Sequence, residues 1–159
     1  MRTRTIRSVV YLAGGIGLIL SIFAGLEVYD ASLSGLCSIN SYVSCGAVLS
    51  SGRTTLLGIP DFAWGIGGFV AILAVAAAAE RAPSDRRGSY ALLLVTTAGV
   101  ATALYFLYVE AALIHALCPV CASAYVMGLI TWLGAIALVR REPEASGDEE
   151  TDDESGVDA

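Results

Sequence analysis

Apolar residues in this chain fall in long runs separated by short polar breaks. Four runs carry no charged side chain: 9–26, 62–79, 90–109 and about 118–139. Each approaches the roughly 20 residues that a helix needs to cross a bilayer's hydrocarbon core. The pattern predicts an all-α integral membrane protein, a four-helix bundle over residues 1–141. The first run follows a basic start, as a signal peptide would. Its apolar core is longer than a signal's, and no A-x-A site follows it, so a retained span is the better reading.

Charge then orients the bundle. Arg2, Arg4 and Arg7 precede the first span, Arg81, Arg86 and Arg87 lie between the second and third, and Arg140 and Arg141 follow the fourth. The opposite side has only Arg53. Arginine retained on the cytoplasmic side puts both termini inside the cell membrane and turns the 27–61 and 110–117 connections outward. Nothing in this placement calls for a nucleic acid; the partner it implies is the lipid bilayer. The 27–61 connection is long for a helical bundle. It is expected to cap the bundle mouth on the extracytoplasmic side, with one short helix near 45–51. Residues 142–159 hold nine acids and no base, leaving a body of +3 and a tail of −9. Such a segment has too little apolar surface to order itself and reads as a disordered cytoplasmic tail.

The candidate chemistry lies in four cysteines, all on the outer side. Cys37 and Cys45 sit in the long loop, and Cys118-Pro119-Val120-Cys121 opens the fourth span. Counting back from Arg140 at 1.5 Å per residue places Cys118 roughly 33 Å away, at the outer surface and facing water. Cys121 falls one turn deeper on the same face, toward the bundle interior. Pro119 suits a first helical turn, and the free N–H groups there favour a thiolate. Such a dithiol can exchange electrons with water-side thiols on one hand and a lipid-soluble carrier on the other. Spacing alone leaves three uses open: redox exchange, two structural bridges, or one structural zinc held by four thiolates. His115 reads as an interfacial polar residue rather than a ligand, and no metal is expected.

Taken together, Cys37-x7-Cys45-Gly46, Val48-Leu49-Ser50-Ser51, Gly58-Ile59-Pro60, Gly65, Cys118-Pro119-Val120-Cys121 and Tyr125 resemble the vitamin K epoxide reductase family, in its bacterial and archaeal branch. The resemblance covers about residues 8–139. It implies a four-helix bundle around a quinone of menaquinone or ubiquinone type. It also implies a quinone-dependent thiol oxidase that makes disulfide bonds in secreted proteins. On that resemblance Cys118 and Cys121 are the active-site pair, with Cys121 reducing the quinone. Cys37 and Cys45 are the shuttle pair, and a transient Cys45–Cys118 bond is the relay. Ser51 matches a loop serine near the catalytic pair, and Tyr125 a tyrosine that hydrogen-bonds the quinone; packing within the bundle is the plainer role for Tyr125. Asp61 stands where animal members have an Asn that donates to the quinone. An ionised Asp cannot donate, and after Pro60 it suits a helix N-cap better. Trp64, Phe69, Leu117 and Val120 are candidates for the pocket wall. No thioredoxin-like domain follows the fourth span in this sequence, so the implied electron donor is a separate thioredoxin-fold protein outside the membrane. The alternatives are reduction of vitamin K epoxide as the primary reaction, and a non-enzymatic four-span scaffold braced by disulfides.

Overall fold

A computed structural model describes residues 3–30, 39–49, 51–81 and 87–147. Helix α1 is Thr3–Tyr29 and a short α2 is Cys45–Leu49. A two-stranded hairpin follows, with β1 at Thr55–Leu56 and β2 at Ile59–Pro60. Then come α3 (Asp61–Arg81), α4 (Arg87–Tyr108) with a π-helical extension (Val109–Ile114), and α5 (Pro119–Gly147). The four long helices are apolar and long enough to cross a membrane. They make an all-α membrane bundle closed as a ring, with α1 against α3 and α5, and α4 against α3 and α5. The first run is therefore a bundle member with two helical neighbours.

Lipid tails are as apolar as leucine, so burial of apolar surface does not by itself hold such helices together; close packing does. The outward faces accordingly carry exposed Leu12, Ile19, Leu94 and Leu104. Helix α1 turns the stripe Gly14, Gly17, Ser21 and Gly25 inward. A Cβ at Gly17 would collide with the Phe69 ring, and one at Gly25 would fall 2.9 Å from Phe62. Buried hydroxyls return to their own helices: Ser21 donates to the Gly17 carbonyl at 2.9 Å and Thr96 to that of Leu92 at 2.8 Å. With no water in the bilayer core, these bonds satisfy groups that would otherwise be costly. Gly17→Val is expected to lower bundle stability by about 1–3 kcal/mol through overpacking against Phe69. Thermal unfolding of the purified variant in detergent measures it, and an unchanged transition would show that α1 yields without cost.

Two boundaries and one loop feature differ from those read off the sequence. Helix α5 continues through Gly147, past the expected break after Arg141, and residues 148–159 of the expected tail lie outside the described residues. The 110–117 connection is mostly helical, because the π-helical extension carries the third span to Ile114. The described residues of the loop hold a hairpin besides the expected short helix. Leu57 and Gly58 both take positive φ, 57° and 79°, which turns β1 directly back as β2. Two left-handed residues match the twist of a two-residue hairpin; glycine takes that conformation freely, whereas leucine carries a steric cost there.

Candidate active site

Local sequence explains how the loop presents Cys45. The Asn40 side chain accepts the N–H groups of Tyr42 and Val43, at 2.9 and 2.8 Å, and bends the chain. Ser44 Oγ then accepts the Ala47 N–H at 3.2 Å as N-cap of α2, which places Cys45 at the first helical position. Between these devices, Val43 pairs with Leu117 in an isolated parallel bridge. Leu117 N–H donates to Tyr42 O at 2.7 Å, and Ser44 N–H donates to Leu117 O at 3.1 Å. This latch joins the loop to the residue just before Cys118.

The consequence is a sulfur contact. Cys45 is disulfide-bonded, Cys118 and Cys121 carry free thiols, and the Cys118 thiol lies 3.3 Å from Cys45 Sγ. Cys37 lies outside the described residues. Cys118 is the N-cap of α5: its sulfur accepts the Cys121 N–H at 3.2 Å. The expectation of a water-facing Cys118 is corrected here. Cys45 and Cys118 are both fully buried, because the latched 42–48 segment covers the start of α5.

Cys121 faces a different space. It lines a cavity of about 550 Å³ between α1, α3, α4 and α5. The walls are apolar, with Phe62, Trp64, Phe69 and Phe106 prominent, and Asp61, Tyr125 and Cys121 gather among them as polar groups. A Cβ at Gly68, Gly99 or Gly128 would meet nothing within 4 Å, so these glycines keep the cavity open. Trp64 also donates its Nε1–H to the Leu56 carbonyl at 3.1 Å and pins the hairpin over this end of the bundle. The wall includes Phe69 and Trp64 of the expected residues, but not Leu117 or Val120.

Asp61 opens α3, and its Oδ2 lies 2.9 Å from the Tyr125 hydroxyl. The same hydroxyl lies 2.8 Å from Glu110 Oε1. Glu110 is fully buried, and its Oε2 accepts the Cys118 N–H at 3.0 Å. Asp61, Glu110 and Cys121 each bring one ligand-capable atom within 4.8 Å of the others. The phenol oxygen already bridges the two carboxyls, so this acidic set is held together by hydrogen bonds. Ser51 sits apart from the cavity. Its hydroxyl donates to Val48 O at 2.7 Å and its oxygen accepts the Arg53 N–H at 3.3 Å, closing the turn after α2. His115 is exposed, with φ 57°, and its backbone N–H caps the Glu110 carbonyl.

Glu110 is the site residue that sequence reasoning missed. Ending the third span at Val109 placed it in an outer loop, where an acid needs no explanation. The signal was there in the apolar residues on both sides of it, 109 and 111–114. An ionisable residue inside a span marks a functional site by default.

A buried dithiol thus touches a disulfide on one side and an apolar, acid-tipped cavity on the other. The sequence model of the vitamin K epoxide reductase family matches residues 8–136. The chain therefore belongs to the vitamin K epoxide reductase family, and is a multi-pass membrane oxidoreductase whose redox chemistry is linked to quinones.

Proposed function

We propose that this chain is a quinone-dependent thiol oxidase that generates disulfide bonds in extracytoplasmic proteins. In this reading both termini are cytoplasmic and the cysteines lie at the outer face of the cell membrane, as the arginine distribution argues. Electrons come from a separate thioredoxin-fold protein and pass through Cys37 and Cys45 to Cys118 and Cys121. The observation that carries the reading is the 3.3 Å contact between the Cys118 thiol and the disulfide-bonded Cys45.

Thiol–disulfide exchange proceeds by attack of a thiolate on a disulfide sulfur. In the productive direction the Cys45 thiolate attacks Cys118 of an oxidised Cys118–Cys121 pair and displaces Cys121. Cys37 then attacks Cys45 and releases Cys118. That relay would end with Cys45 oxidised and the Cys118/Cys121 pair reduced, which is consistent with the sulfur pairing described above. Burial of both contacting sulfurs keeps other thiols away from the mixed disulfide.

The cavity suits a quinone of menaquinone or ubiquinone type. Its volume is in the range of small-molecule sites, its walls are apolar, and its few polar groups gather beside Cys121. A bound quinone supplies an acceptor for two electrons and two protons. Trp64, Phe62 and Phe69 would flank the ring, and Tyr125 and Asp61 would engage a ring oxygen. Cys121 would face that ring as Cys118 turns back toward the loop. Ser51 acts at a distance by shaping the turn after α2.

The purified chain, given reduced thioredoxin-fold protein and quinone, is expected to form quinol. Cys121→Ala is expected to bring the rate to the background without enzyme. A variant rate equal to wild type would overturn the reading. Vitamin K epoxide reduction is the second reading, favoured by the acid beside Cys121, since opening an epoxide needs a proton donor at the oxygen. Turnover of quinone and epoxide by the same preparation separates the two.

A further inference from the structure

A phenol has one proton to donate, and Tyr125 is in hydrogen-bond contact with two carboxyls. Were Asp61 and Glu110 both ionised, one contact would place oxygen lone pairs against each other at less than 3 Å. One carboxyl must therefore carry a proton and donate it to the phenol oxygen, while the phenol donates to the other. Glu110 is fully buried and its second oxygen is taken by the Cys118 N–H, so any proton it holds lies on the oxygen facing Tyr125. At the other end, Asp61 lines the cavity, with a carboxyl oxygen within 4.8 Å of the Cys121 sulfur.

We propose that Glu110 is a positioning residue that shares one proton with Asp61 through Tyr125, and that this shared proton serves the reduction of a quinone seated beside Cys121. The inference rests on the quinone reading above. Both protons in the Glu110–Tyr125–Asp61 row can shift together, so a proton given up by Tyr125 is replaced at once from the protonated carboxyl. Closing the Cys118–Cys121 bond breaks two S–H bonds and sends two electrons to the quinone, where two O–H bonds form. Tyr125 donates one of those protons, the row regains it from the Cys121 thiol through Asp61, and the Cys118 thiol supplies the other. The row ends with the protons it began with. Glu110 also holds the Cys118 backbone, so one side chain links the position of the thiol pair to the proton that its oxidation moves.

Glu110→Gln isolates the proton from the architecture. The amide oxygen can still accept the Cys118 N–H and the amide N–H can donate to Tyr125, so both hydrogen bonds survive without a carboxyl proton. Infrared difference spectra of the quinone-free chain, wild type minus Glu110→Gln, are expected to show the C=O stretch of a protonated carboxyl. Asp61→Asn is expected to remove the same band. Quinone reduction by Glu110→Gln is expected to fall by about 10²-fold, the low end for a positioned proton donor. Exchange between Cys45 and Cys118 is expected to continue. Absence of the carboxyl band from wild type overturns the shared proton. An unchanged rate in Glu110→Gln overturns its use. A wild-type chain that shows the band but reduces no quinone overturns the function reading and the proton transfer with it, leaving the shared proton standing.

Discussion

In Cys121→Ser, the Cys45–Cys118 disulfide is expected to accumulate as a major species. The free Cys118 sulfur already touches the oxidised Cys45 sulfur at 3.3 Å, so exchange needs little movement. In the wild type a mixed disulfide is resolved from two sides, by Cys121 attacking Cys118 and by the displaced loop thiol attacking Cys45. Serine removes the first route, since its hydroxyl does not attack sulfur, and alkylation of the displaced thiol blocks the second. Peptide mapping of alkylated, unreduced protein by mass spectrometry reads the result. The 45–118 cross-link is expected to rise by at least about 10-fold over wild type, in keeping with loss of a resolving nucleophile held next to its target. A cross-link no more abundant than in wild type would mean that the contact is packing and not a relay. The experiment needs no quinone, so it tests the thiol half of the mechanism alone.

Much of this site was legible before any fold was known, and the reason is physical. A bilayer demands long uncharged helices, so span number follows from composition along the chain. Helical periodicity put Cys121 and Tyr125 one turn apart on the same face, and both line the cavity. What escaped was decided by tertiary contact. The burial of Cys118 depends on the loop folding over it through Val43 and Leu117, residues 74 positions apart with no local pattern to announce their pairing. The π-helical extension that draws Glu110 inward depends on the extra residue per turn, which hydropathy does not record. Asp61 shows the middle case. The reading as a helix N-cap, preferred from sequence, and the reading as a cavity residue looked exclusive. In the fold Asp61 is the first helical residue of α3 rather than its N-cap, and its carboxyl reaches Tyr125.

The latch is the feature on which the whole relay hangs, and Leu117→Pro should break it. Proline has no N–H, so the bond to Tyr42 O, the shortest in the latch at 2.7 Å, is lost. Only the Ser44 N–H to Leu117 O bond at 3.1 Å would then hold the loop against the start of α5. Exchange between two held sulfurs falls steeply with misplacement, by about 10²-fold for 1 Å. Transfer from a reduced thioredoxin-fold protein to quinone is therefore expected to drop by about that factor. Two further measurements separate this from misfolding. A small membrane-permeant dithiol, which can reduce the Cys118–Cys121 pair without the loop, is expected to drive quinone reduction in the variant at a rate near wild type. Alkylation of Cys118, fully buried with the latch closed, is expected to speed up. Leu117→Ala keeps the backbone donor and is expected to retain most of the protein-driven rate. Should the proline variant pass electrons from the protein donor as fast as wild type, the loop must find Cys118 without the Val43–Leu117 pairing, and the buried sulfur contact would owe its geometry to α2 and the loop's side chains alone.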